Sequence, residues 1–257
     1  MKKPLVIIPS YNTGAALVAT VGEVLASWAG PVWVVIDGST DKSDDLLERT
    51  HGKNPLLRII RRQHNKGKGA AVLLAADMAL GESYTHACAF DADGQHCASD
   101  IARLFSEVDD EGNSFALGVP VFGSDAPISR VKGRRVGNTF ARIETLWRGP
   151  EDSLYGMRVY PLKQLVRAMG SSWGGNRYDF DTEAAVRLTW YGVRPVNCKT
   201  PVRYPTKEDG GVSHFHYVRD NLLLTAMHLR LLVQLPVRIP QMLLNGRRGE
   251  GTSSTAA

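Results

Sequence analysis

The chain has 257 residues, with 31 basic against 26 acidic side chains and a formal net charge of +5. That length suffices for one large α/β domain with a real core or for two small ones, and 43% hydrophobic with 22% charged residues excludes a disordered or fibrous chain. The mild basic excess favours anionic partners such as nucleotide phosphates or an anionic membrane surface; lacking an aromatic-interleaved basic groove, it does not indicate nucleic acid.

Leu5-Val6-Ile7-Ile8 is a short continuous apolar run, the pattern of a strand covered on both faces. It stops at Pro9-Ser10-Tyr11-Asn12, and Leu17, Val21, Val24, Leu25 and Trp28 then recur at helical spacing before Gly30-Pro31. Residues 32–36 form a second buried strand that breaks at Asp37-Gly38-Ser39-Thr40-Asp41. A polar helix over 42–49, a strand near 57–60 and an Ala-rich helix over 70–80 follow, the last introduced by His64-Asn65-Lys66-Gly67-Lys68-Gly69. Residues 85–90 make the fourth strand, and helix at 98–108 and strand at 115–119 come next. Such alternation predicts an α/β fold: a mainly parallel central sheet covered by helices on both faces, with ligands outside the carboxyl ends of its strands. Three polar clusters, 9–12, 37–41 and 91–96, fall at those ends.

The fourth strand ends in Asp91-Ala92-Asp93-Gly94-Gln95-His96. In an extended tip alternate side chains point the same way, so Asp91 and Asp93 can converge on one point. Two hard oxygen ligands with an open coordination sphere suit magnesium or manganese shared with a substrate phosphate. An ordinary surface Asp-Gly turn is the other reading of the same residues.

Beyond residue 110 the chain changes character. Residues 128–147 are rich in arginine and lysine, either a solvated helix face or, with Arg134, Arg135 and Arg158, a cradle for an acceptor phosphate. Tyr178-Asp179-Phe180-Asp181-Thr182-Glu183 opens a helix running to Tyr191, with Asp181 expected as its N-cap. Residues 193–204 offer one or two strands, and a Gly-rich link carries His214 and His216. The odd count of Cys88, Cys97 and Cys198, without metal-site spacing, indicates buried thiols of a reducing compartment. The first apolar run is too short for a signal peptide and no segment reaches an uninterrupted membrane span, so the chain is expected in the cytosol.

Five motifs, taken in order, resemble the family-2 inverting glycosyltransferases, and among them the dolichyl- and polyprenyl-phosphate sugar synthase branch. They are Ile8-Pro9-Ser10-Tyr11-Asn12, Asp37-Gly38-Ser39-Thr40-Asp41, Asn65-Lys66-Gly67-Lys68-Gly69, Asp91-Ala92-Asp93-Gly94-Gln95-His96 and Phe180-Asp181-Thr182-Glu183. The resemblance covers residues 4–205 and implies the GT-A fold over 1–216, with a nucleotide-sugar half (about 1–110) and an acceptor half (about 111–216). It implies a donor site at Pro9, Tyr11, Asn12, Asp37, Lys68 and Asp91. A divalent manganese or magnesium ion would sit on Asp91 and Asp93, with His214 as a third ligand and His216 and His96 as its competitors.

The resemblance places the catalytic base at Asp181 or Glu183, with Glu183 preferred if Asp181 caps the helix; a phosphate acceptor, already anionic, needs no base. Many relatives carry two acids before Gly38-Ser39 where this chain has Ile36, which leaves the nucleotide open. Implied partners are a nucleotide-sugar donor and a lipid or polyprenyl-phosphate acceptor in bacterial cell-envelope biosynthesis. Two other functions stay open: a sugar nucleotidyltransferase and a non-catalytic nucleotide-sugar-binding subunit of a membrane assembly.

The last segment, 217–245, is apolar almost all round over 221–235, is broken at Pro236 and Pro240, and carries Arg238, Arg247 and Arg248. It reads as an interfacial helix on the cytoplasmic face of the inner membrane, or as a homodimer or core-packing helix. A chain ending before Arg219 is expected to stay soluble, and residues 246–257 to be a disordered tail.

Overall fold

The structure, a computed structural model, describes residues 1–122, 128–202 and 217–250. One sheet of seven strands runs through it, in the order β3-β2-β1-β4-β6-β5-β7. In sequence these are β1 (Pro4–Ser10), β2 (Val32–Asp37), β3 (Leu57–Arg62), β4 (His86–Ala89), β5 (Ser114–Val121), β6 (Arg158–Pro161) and β7 (Arg194–Pro201). β6 alone runs against its neighbours β4 and β5; every other pairing is parallel. Phe90 and Asp91, read as part of the fourth strand or its tip, lie just beyond β4.

The period-two pattern of the first strands divides the core. Leu5, Ile7, Trp33 and Val35 face one side, where α3 (Lys68–Gly81), α6 (Leu162–Met169) and α7 (Phe180–Trp190) cover them. Val6, Ile8, Val32 and Val34 face the other, under α1 (Ala15–Ser27) and α4 (Ile101–Ser106). α2 (Ser43–His51) packs beside α1. The strands read as continuous apolar runs because both faces are buried. Cys88, Cys97 and Cys198 are free and buried, as expected.

A third, smaller core joins α5 (Ile128–Glu144), α7 and α8 (Tyr217–Glu250) through Ala141, Val186, Trp190, Met227, Leu231 and Met242. It corrects three expectations. Pro236 and Pro240 do not break the last helix, which continues to Glu250 with both inside it. A proline inside a helix costs about 3 kcal/mol, and contacts beyond the pair hold the helix: Met242 is buried, and Arg238 lies over the Trp190 and Tyr191 rings. The helix therefore takes in 246–250 of the expected tail, while 251–257 lie outside the described residues. The stretch Arg219–Leu244 is, after all, long and apolar enough to cross a membrane by length and composition.

The same contacts make α8 part of the fold. His228 Nδ1 lies 2.8 Å from Glu144 Oε1, and Arg230 pairs with Glu183 at 2.5 Å. A chain cut before Arg219 would uncover Val186 and Trp190 and leave Glu144 and Glu183 without these partners. Where the sequence led to the expectation of a soluble core, these contacts lead to the expectation of a poorly soluble one, which a comparison of soluble yields checks.

Candidate active site

β1, β2 and β4 all end on one rim, where strand order reverses between β1 and its two neighbours. Their tips, with residues 65–68 and the loop before α7, line a cavity of about 430 Å³. Pro9, Tyr11, Asp37, Lys68, Asp91 and Asp93, all marked by the sequence, line it together.

Asp37 lines the cavity but works through a loop. Its carboxylate is almost wholly buried, accepts the N–H groups of Lys66 and Gly67 at 3.0 and 2.7 Å, and pairs with Arg62 at 3.1 Å. Gly67 has φ of +100°, and a Cβ there would meet the Asn176 carbonyl, so the loop closes on Asn176 and Arg177 only with glycine. Asn12 is not among the lining residues. Its N–H donates to Ser39 Oγ and its Oδ1 accepts from Thr40 N–H, while Asp41 accepts from Gly14 N–H, so these side chains clasp the first two loops.

Lys68, thus presented, bridges the segment after β4 and the first turn of α7. Its ammonium lies 2.6 Å from Asp91 Oδ1 and 2.6 Å from Asp181 Oδ2. Burial works against the charge on Lys68, but the Asp181 and Asp91 carboxylates outweigh it and hold the ammonium well above its ordinary range. Burial likewise works against ionised Asp91, yet Lys68 and then His96, with Nε2 3.3 Å from Asp91 Oδ2, keep that carboxyl well below the usual range. Gly156 makes room for the cluster: a Cβ there would meet Asp91 Oδ2 and Lys68 Nζ. Gly156→Ala should force the pair apart, at about 1–3 kcal/mol for overpacking. Calorimetry with manganese and nucleotide should show weaker binding than wild type; unchanged binding would mean that the carboxylate position does not matter.

Burial, and then the charge of Asp91, push Asp93 above its ordinary value. Two carboxylates in one place, one of them held against ionisation by the other, present hard oxygens that an added cation would relieve. The residues present therefore fit manganese or magnesium. Among the described residues no three His, Cys, Asp or Glu side chains form a ready cation cage. His214 and His216 lie outside the described residues, and the imidazole of His96 is turned onto Asp91.

Other expected site residues are placed elsewhere. The N-cap of α7 is Asp179, whose carboxylate takes the N–H groups of Gly175 and Arg177; Asp181, expected there, sits in the first turn. Glu183 is fully buried outside the cavity lining, held by Arg187 at 2.7 Å, by Arg230 and by the Ser172 hydroxyl. Arg158 is fully buried as well, donating to the carbonyls of Tyr155 and Asp181, so it cannot reach an acceptor phosphate. Arg134 pairs with Asp152 at 2.7 Å, and neither it nor the exposed Arg135 lines the cavity. Arg177, Tyr178 and Arg219 do line it. Local sequence does not mark these three as site residues, although Arg177 stands directly before the run from Tyr178 to Glu183.

A sheet of this order with its cavity at the reversal is the GT-A fold, and solved structures agree on it. A mannosyltransferase from Pyrobaculum calidifontis in complex with GDP-Man and Mn2+ superposes with a TM-score of 0.63 at 15% identity, over 99% of this chain and 76% of that one. Glucosyl-3-phosphoglycerate synthase from Mycobacterium tuberculosis, in complex with Mn2+, UDP-glucose and phosphoglyceric acid, gives 0.61 at 18% identity, over 92% and 79%. Residues 5–180 match glycosyl transferase family 2, and the chain belongs to that family. It is similar to the polyprenol monophosphomannose synthase of Mycolicibacterium smegmatis, 30% identical over 75% of this chain and 72% of the relative. It is also similar to the undecaprenyl-phosphate mannosyltransferase of Micrococcus luteus, 30% identical over 80% and 85%.

Proposed function

We propose that this chain moves a sugar from a nucleotide-sugar donor to a polyprenyl phosphate, with inversion at the anomeric carbon, on the cytoplasmic face of a membrane in cell-envelope biosynthesis. The observation that carries the reading is the Asp91 and Asp93 pair lining one cavity with Pro9, Tyr11 and Lys68 at the rim of the sheet. The similarity to two enzymes named for transfer to polyprenol or undecaprenyl phosphate supports the acceptor.

Pro9 and Tyr11 lie where a nucleobase can pack, and the carboxylates where a diphosphate can be met through a cation. Manganese or magnesium on Asp91 and Asp93 would neutralise the charge that builds on the leaving diphosphate. Lys68 keeps Asp91 ionised and ties it to α7. A phosphate acceptor brings its own anionic oxygen, so attack needs no general base. The burial of Glu183 between two arginines fits that requirement.

The test is transfer of labelled sugar from GDP-mannose, UDP-glucose or UDP-N-acetylglucosamine to undecaprenyl phosphate. Label should enter the organic phase with manganese and stay in water with a chelator. Label that stays in water with every donor would reject the acceptor reading.

Leu222, Leu229, Val233, Val237 and Leu244 are exposed on α8, spaced so that they share one face. Full-length protein is expected to sediment with anionic vesicles and to leave them at high salt, since charge attraction to the headgroups is screened. Protein that ignores vesicles and runs as a dimer would make this face a subunit interface.

A further inference from the structure

The basic residues expected to take an acceptor phosphate are engaged or remote, yet the cavity carries two other guanidinium groups. Arg177 comes from the loop before α7 and Arg219 from the first turns of α8; both line the space that Asp91 and Asp93 line. Among the described residues no carboxylate pairs with Arg177. Arg219 gives Nε to Asp220 Oδ1 at 2.9 Å and Nη2 to Oδ2 at 3.5 Å, and its side chain is half exposed. A guanidinium has five N–H donors, so others remain for a ligand. Two such forks in the cavity that also holds the carboxylate pair suit the oxygens of a phosphate.

The helix says which anion. Arg219 stands three, ten and fourteen residues before Leu222, Leu229 and Val233, spacings that put all four on one face of α8. Those three apolar side chains are 65%, 60% and 80% exposed. A cation at the cavity followed by an uncovered apolar stripe matches a ligand with an anionic head and a long hydrocarbon tail. Nothing in a nucleotide sugar fits that stripe.

We propose that Arg177 and Arg219 hold the phosphate of the lipid-linked acceptor, and that Leu222, Leu229 and Val233 carry its isoprenoid tail away from the cavity. The assignment rests on the polyprenyl-phosphate reading above and adds the residues that read the acceptor.

Binding of farnesyl phosphate, and of farnesol as its uncharged control, to full-length protein with manganese tests it. Wild type should prefer farnesyl phosphate. Arg177→Gln and Arg219→Gln should each weaken that binding about tenfold or more, the size expected for a lost charge-assisted hydrogen bond. GDP and UDP binding with manganese should stay within about twofold. Arg219→Gln alters an exposed position and should fold, and Arg177→Lys serves if Arg177→Gln does not. Loss of nucleotide binding instead of lipid binding would give the two arginines to the donor diphosphate and overturn the proposal. Unchanged binding of both ligands overturns it too. A wild type that does not prefer farnesyl phosphate to farnesol defeats the acceptor reading itself, before any variant is made.

Discussion

Glu183→Gln is expected to destabilise the protein by about 3–5 kcal/mol, the usual result of removing one partner from a buried ion pair. Glu183 is fully buried and faces two guanidinium groups, Arg187 on its own helix and Arg230 on α8. Without its charge, the equally buried Arg187 keeps a cation with no counter-ion. Because Arg230 crosses from the last helix, the loss also loosens α8 from α7. For a chain of this size the melting temperature should fall by roughly 10 °C, and guanidinium titration should show a lower midpoint. The contrary outcome is specific: a variant as stable as wild type but about a hundredfold slower would return Glu183 to the chemistry as a general base.

Asp93→Asn should behave in the opposite way. Burial and the neighbouring Asp91 already work against ionised Asp93, so a neutral amide removes an unfavourable charge and the fold should melt no lower than wild type. Function should suffer, since half of the carboxylate pair is gone. Stabilisation by manganese with GDP or UDP should vanish, and transfer should drop by at least about a hundredfold. Asp91→Asn should share the functional loss and also cost stability, because Lys68 would keep only Asp181 as a carboxylate partner. Full manganese-dependent turnover in Asp93→Asn would show that this acid takes no part.

What was legible in the sequence was whatever local pattern encodes. Strands β1, β2 and β4 announce themselves as apolar runs because both faces of a parallel sheet are buried, and Asp91 and Asp93 follow directly from where such a run stops. α6 escaped notice because its eight residues carry only a brief apolar repeat after β6. The continuous α8 was misread because a proline is a local signal, while Met242 and Arg238 hold the helix from across space. Arg158 and Glu183 looked like site residues for the same reason. Their charges suit ligands, and only the fold reveals that Asp181 and the arginines of α7 and α8 already occupy them. Arg177 and Arg219 lie 42 positions apart in the chain, and no spacing rule brings them to one cavity.

The most direct test of transfer to a polyprenyl phosphate is the structure of the lipid product formed from undecaprenyl phosphate and whichever nucleotide sugar turns over. Mass spectrometry and proton NMR should show one sugar joined through the lipid's phosphate, with the anomeric configuration opposite to that of the donor. A sugar attached to a hydroxyl group, or joined with the donor's configuration retained, would contradict it.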